Sequence, residues 1–435
     1  MLASIYKALG VERGEGKMVA LLVTQSFFIG VFNINLVVAA ETMFLQAFEP
    51  DMIGLAYMFS GVAGIIMAAI YSKLQSAMKF STLAFFNFLT IAAATAGIWY
   101  GLTISDNKWL IFGLFLMMGP LLLIPIVGFS GMVLRMFSLR QGKRLFGLVD
   151  SGMVFGIIIV GFALPVLLKM LDSIKDLLLI SAGGLFIALL FQLIISKIYN
   201  VDENQETEEK KDEQEEKGDD GYLKIFTDPY IRMMALFVAV TMVALFFVQY
   251  SFLAVTKAQY PEEVDLAGFL SSFTAAMMIL SFLIKTFVYS KLVKTYGLKV
   301  TFLILPLILG LFTVGAVISG HLFGFDPAES NFLFFFLLVA LSKLFSVALK
   351  EAIQNPSFKI LYQSLDKKIR FGIQAKIDGV INEVAASVAG GVLAIIALIS
   401  FIGLIHYSYI LVFIIGAWAW ISIKLYTEYQ DSLKS

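Results

Sequence analysis

Apolar residues fill this chain in blocks of roughly 20–28, each closed by a short charged, glycine or proline break. An α-helix needs about that length to cross some 30 Å of hydrocarbon. A membrane barrel would instead show strands of about 10 alternating residues, so the pattern predicts helices. The blocks give spans near 18–47, 53–73, 80–103, 109–135, 145–169 and 176–198, then 229–256, 265–290, 299–320, 331–353, 372–399 and 406–426. Six lie on each side of the one long polar run, Asp202 to Asp220, which holds eleven acidic residues and three lysines. We therefore expect two six-helix bundles, 1–199 and 228–435, joined by a cytoplasmic linker over 200–227 that acts as a solvated tether.

Composition excludes the soluble alternative. With 59% hydrophobic residues, 41 phenylalanines and a mean hydropathy of +0.88, a soluble fold would expose one continuous apolar surface. The formal charge is zero, but setting the polar run aside leaves 29 basic against 21 acidic residues, a net +8. Cysteine is absent, so disulfides and thiolate metal sites are excluded. The two histidines, His321 and His406, fall near span ends with no triad around them, and no phosphate-binding glycine loop or metal cluster occurs. An enzyme is not expected, nor a cofactor, a metal or a nucleic-acid partner. Residues Met1–Lys17 read as a short interfacial amphipathic segment and not a signal peptide.

Loop charge sets the expected orientation. Lys73 and Lys79; Arg135, Arg140, Lys143 and Arg144; Lys291, Lys294 and Lys299; and Lys359, Lys367, Lys368 and Arg370 follow spans 2, 4, 8 and 10. The opposite junctions are acidic or mixed: Glu49 and Asp51, Asp106 and Lys108, Glu262, Glu263 and Asp265, Asp326 and Glu329. By the positive-inside rule both termini are cytoplasmic. The halves also echo one another. Tyr71-Ser72-Lys73-Leu74 closes span 2 as Tyr289-Ser290-Lys291-Leu292 closes span 8, and Lys143-Arg144-Leu145-Phe146-Gly147 enters span 5 much as Ile369-Arg370-Phe371-Gly372 enters span 11. An all-α membrane protein of twelve transmembrane helices in two parallel six-helix repeats has the layout of the major facilitator fold.

At these residues the chain resembles a family. Lys143-Arg144-Leu145-Phe146-Gly147-Leu148, with Gly156 and Gly161 beyond, and Ala375-Lys376-Ile377-Asp378 followed by Gly390-Gly391 are similar to the nucleotide (ATP/ADP) translocase branch of the major facilitator superfamily. The resemblance is closest to bacterial membrane proteins in which a translocase-like domain is often followed by helical repeats and a cyclic-nucleotide-binding module. It implies a bacterial inner-membrane transporter or antiporter, working as a monomer, with any such regulatory module outside these 435 residues. The specific motifs cover about 60 residues. One departure bears on substrate: where the family carries an arginine and a lysine after the span-11 aspartate, this chain has Glu383 and Ala386. That replaces two phosphate-facing cations by an anion and a methyl group.

Ionisable groups at mid-membrane are costly and mark candidate sites. At about 1.5 Å per residue, Lys343 lies roughly 18 Å into span 10 and Glu383 at a similar depth in span 11, so the two are expected to pair. Lys376, Gly379, Glu383, Ala386 and Gly390 recur at helical spacing on span 11, with Asn382 beside them, predicting a cavity wall. Asp150 and Asp378 lie near Arg144 and Arg370 in matching positions, as cytoplasmic gate pairs or as plain helix-terminus charges. Span 1 adds Gln25, Asn33, Asn35 and Glu41; Asn33 and Asn35 lie two apart and so on different faces, while Glu41 sits near the outer end. Lys285 is expected to snorkel, and Gly152 with Gly156 to serve close helix packing.

The leading functional reading is a secondary transporter that moves a small polar or charged solute by alternating access, with nucleotides and other organic anions among the candidates. A non-transporting membrane sensor or scaffold and a lipid transporter are the alternatives.

Overall fold

The computed structural model describes residues 10–12, 14–105, 107–199, 225, 227–327, 331–399 and 402–433. The acidic run Asp202–Asp220 and the first nine residues of the expected amphipathic segment lie outside them. The described residues form α1 (Gly16–Ala47), α2 (Met52–Ala77), α3 (Phe80–Ile104), α4 (Lys108–Met136), α5 (Leu139–Leu167), α6 (Asp176–Tyr199) and α7 (Pro229–Gln259). After these come α8 (Glu263–Leu283), α9 (Tyr289–Phe323), α10 (Phe332–Leu349), α11 (Asn355–Tyr362), α12 (Lys367–Ala375), α13 (Asn382–Ala397) and α14 (Leu404–Ser432). Three π-helical turns, Ile284–Val288, Lys350–Gln354 and Lys376–Ile381, interrupt the second set.

Among the described residues, eleven stretches are long and apolar enough to cross a membrane. The longest, Glu263–Phe323, holds two of the twelve expected spans. They part at Gly297, whose φ of 70° and ψ of −177° no other residue type adopts cheaply. Local chemistry fixes other boundaries. Asp228 accepts hydrogen bonds from the backbone of Tyr230 and Ile231, with Pro229 next in line, and so starts α7. Ser138 and Gln141 cap one another at the start of α5.

By contact the chain forms two compact units. Unit 1 comprises Met1–Ala47, Met67–Asp212 and Glu263–Ala275; unit 2 comprises Phe48–Ile66, Glu213–Glu262 and Ala276–Ser435. In unit 1, α1 packs against α4, α5 and α6. Lipid is as apolar as leucine, so helices associate through close packing and hydrogen bonds. Glycine supplies the first: a Cβ on Gly30, Gly152 or Gly156 would run into the backbone oxygen of Met153, Val23 or Phe27 respectively. The Gly152/Gly156 pair therefore packs helices, as expected. Bonds across helices supply the second, on the order of 0.6–2 kcal/mol each. Ser26 Oγ donates to Val149 O at 2.7 Å, Ser181 Oγ to Phe32 O at 2.9 Å, and Gln25 Nε2 to Gln192 Oε1 at 2.9 Å.

In unit 2, α7 packs against α10, α13 and α14, and α9 against α10 and α14. Phe237 anchors this core, stacked on Phe358 at 5.5 Å and edge-on to Phe302 at 5.4 Å.

Candidate functional site

Each π turn of unit 2 carries a lysine: Lys285, Lys350 and Lys376. A π turn opens the helical ladder by one residue and recurs at functional sites. The turn at Lys350–Gln354 has a local cause, because Pro356 lacks the N–H that would reach the carbonyl of Ala352. It packs against the turn at Ile284–Val288 and is tied to α7, where Gln354 Nε2 donates to Thr241 Oγ1 at 3.2 Å. Lys350 Nζ lies 3.7 Å from Met242 Sδ, also on α7. Sequence reasoning missed Lys350 as a site residue, because the span drawn to 353 put it near a helix end, where a lysine snorkels. The signal was there in Lys350-Glu351 within an apolar run just before a proline.

On α13, Glu383, Ser387, Gly390 and Ala394 share a face that meets the first half of α2, also in unit 2. A Cβ on Gly64 would stand 2.5 Å from Glu383 Oε2, and one on Gly61 2.8 Å from Ser387 N. A Cβ on Gly54 would stand 2.5 Å from Ala394 N, while one on Gly390 would strike the backbone of Met58. The carboxylate thus lies against glycine.

Several expected relationships are corrected. Lys343 and Glu383 do not pair: Glu383 belongs to none of the ion pairs among the described residues. The helices carrying them pack on α7 and α9 (α10) and on α7 (α13), and α13 turns Glu383 to α2. The π turn at Lys376–Ile381 also shifts the register of span 11. Lys376 and Gly379 therefore leave the face that Glu383 and Gly390 share, and nothing stands within 4 Å of a Cβ built on Gly379. Ala386 is buried.

Neither gate pair forms. Arg370 Nη2 donates to the carbonyls of Gln363 at 2.8 Å and Leu365 at 3.0 Å, closing the end of α11. Asp378 instead accepts from Tyr362 Oη at 2.6 Å and Gln374 Nε2 at 3.4 Å. Arg144 pairs with Glu12 at 2.6 Å and Glu15 at 2.7 Å, not with Asp150. Gln141 Nε2 also donates to Glu15 at 2.9 Å. Burial alone would raise the Glu15 pKa, but the bonds from Gln141 and the Glu12 backbone and the Arg144 charge together hold it below its usual value.

On α1, Asn33, Asn35 and Glu41 are all buried. Asn33 Nδ2 rests 3.5 Å from Met153 Sδ, and Asn35 Nδ2 donates to Val31 O at 2.7 Å. The side-chain oxygens of Gln25, Asn33 and Asn35 have no partner. A further cluster went unforeseen. In unit 2, Lys257 Nζ donates to Phe48 O at 3.1 Å and Glu49 Oε2 at 3.2 Å, and Tyr250 Oη lies 3.5 Å from Asp51 Oδ1.

A family model described as TLC ATP/ADP transporter matches residues 127–429. No curated protein sequence matches the chain. Among solved structures, the chain is similar to nucleoside transporter NupG, with a TM-score of 0.65 and 15% identity over 94% of this chain and 98% of that one. It is similar to the xylose transporter XylE from E. coli (TM-score 0.61, 14% identity, 92% and 95% covered). It also resembles peptide transporter POT in complex with sulfate (TM-score 0.64, 13% identity, 93% and 94% covered). At such identities the likeness is one of fold: the all-helical membrane architecture of the major facilitator type.

Proposed function

This chain belongs to the TLC ATP/ADP transporter family, and on that premise we propose that it carries a small organic anion by alternating access, with Lys350 as the cation that meets it. The protein is a secondary transporter of small solutes in a lipid bilayer; the anion, the residues and the cycle are the proposal. Lys350 carries the reading. Its ammonium lies within a membrane-spanning stretch, on a π turn, against the sulfur of Met242. A thioether is a weak acceptor and cannot neutralise a cation. The carboxylate of the adjacent Glu351 acts on that charge at longer range while accepting from Asn355 Nδ2 at 3.1 Å, and an anionic solute would supply a partner in direct contact.

Glu383 is the coupling group in this scheme. Its carboxylate lies against Gly64 in the α2–α13 seam, so gaining or losing a proton there bears directly on how closely the two helices pack. The proposal also includes two bundles, 1–199 and 228–435, a tether at 200–227, both termini on the cytoplasmic side of a bacterial inner membrane, and work as a monomer.

Uptake into proteoliposomes tests it, with nucleotides, inorganic phosphate and the corresponding neutral nucleosides as solutes. Saturable anion uptake is expected, lost in Lys350→Met and partly kept in Lys350→Arg. Glu383→Gln should abolish net uptake. Flux of neutral solutes that Lys350→Met leaves untouched would overturn the role of Lys350, and absence of any flux would favour a sensor.

A further inference from the structure

A small, mostly apolar cavity in unit 2 has among its lining residues four that carry a hydroxyl, on four different helices: Ser251 on α7, Thr313 on α9, Ser342 on α10 and Ser408 on α14. All four residues are buried, between 3% and 6% exposed. The hydroxyls of Ser251, Thr313 and Ser342 have no hydrogen-bond partner. Each forgoes the carbonyl that a serine or threonine in a helix has within reach one turn back; among the described residues five other buried hydroxyls do so as well, but these three gather at one cavity. Ser346, one turn along α10 from Ser342, uses one, donating to Lys343 O at 2.7 Å; Thr95 and Ser422 do the same on their own helices. Three residues that line one space and leave their hydroxyls without a partner mark a place for a ligand.

We propose that this cavity is a binding site for a single water molecule, which joins α7, α9, α10 and α14 at one point. The space admits the centre of about one water. A water donates twice and accepts twice, and each hydroxyl does either, so four hydroxyls can satisfy it completely. The remaining walls, among them Val248, Phe312 and Ala316, are apolar, and no charged side chain lines the cavity. A neutral ligand therefore fits better than an ion, whose charge nothing there would balance.

The test is radiolytic labelling of the full-length protein in detergent with H2 18O, read by mass spectrometry, alongside thermal melting of Thr313→Val and Ser342→Ala. A bound water delivers 18O to Phe312, its label is lost in both variants, and both variants melt lower than the wild type. An empty cavity gives no label at Phe312 in the wild type, and removing an unpartnered hydroxyl then raises the melting temperature. Either of those results overturns the proposal, and the wild-type label stands as a readout even where a variant fails to fold. A rise in wild-type melting temperature on replacing potassium by sodium, absent in Ser342→Ala, would assign the site to a cation and overturn it as well.

Discussion

Gly64 faces Glu383 so closely that a methyl group in place of its hydrogen would stand 2.5 Å from the carboxylate oxygen Oε2. Gly64→Ala is therefore expected to destabilise the protein by roughly 1–3 kcal/mol, the usual cost of overpacking. Shortening the opposing side chain should relieve it, so Gly64→Ala with Glu383→Ala should melt well above the sum of the two single changes. A double-mutant cycle by thermal melting in detergent measures that coupling, and strict additivity would rule out the contact.

Gly390 has no such flexible neighbour, because a Cβ there meets the backbone of Met58. Gly390→Ala should cost about as much, and no side-chain truncation on α2 should rescue it. A melting temperature unchanged by Gly390→Ala would mean that the seam is looser than described.

Tyr362 and Asp378 should couple, while Arg370 and Asp378 should not. Tyr362→Phe removes a hydrogen bond to a charged acceptor, a loss of about 1.5–3 kcal/mol that an exposed carboxylate brings toward the low end. Arg370→Gln releases the carbonyls of Gln363 and Leu365 independently of Asp378. Two cycles sharing Asp378→Asn separate the cases; a larger coupling to Arg370 would restore the gate pair expected from spacing.

Glu15 adds a pH dependence of definite sign. Its folded-state pKa lies below the ordinary value of 4.5, so its contribution to stability is fully present above that value and is lost as pH falls through the lower, folded one. Melting temperatures measured from about pH 6 down to about pH 3 should fall more steeply in the wild type than in Glu15→Gln. Parallel curves would show that the Arg144 pairing adds nothing.

The spans were legible because a twenty-residue apolar block has one structural meaning in a bilayer, and the halves repeat. Side-chain partners were less legible. Counting at helical spacing placed Lys376 and Gly379 with Glu383, but a π turn inserts its residue without altering composition, so nothing in the count reveals the shift. Arg144 lay near Asp150 in sequence, yet its partners come from a segment before α1 that no periodicity ties to α5. The glycines were readable as sites of close approach; which helix approaches them is a long-range matter. Gly54, Gly61 and Gly64 drew no attention beforehand, although they line one face of α2.

Unit 2 contains Phe48–Ile66 as well as α13, and that has a consequence for biogenesis. The ribosome delivers α2 long before α13, with α3 to α12 made in between. Throughout the synthesis of everything between, the notched glycine face of α2 waits in lipid for a partner that does not yet exist. α2 therefore reaches its final packing only once α13 has been made, and a chain stopped after α12 leaves it without its mate.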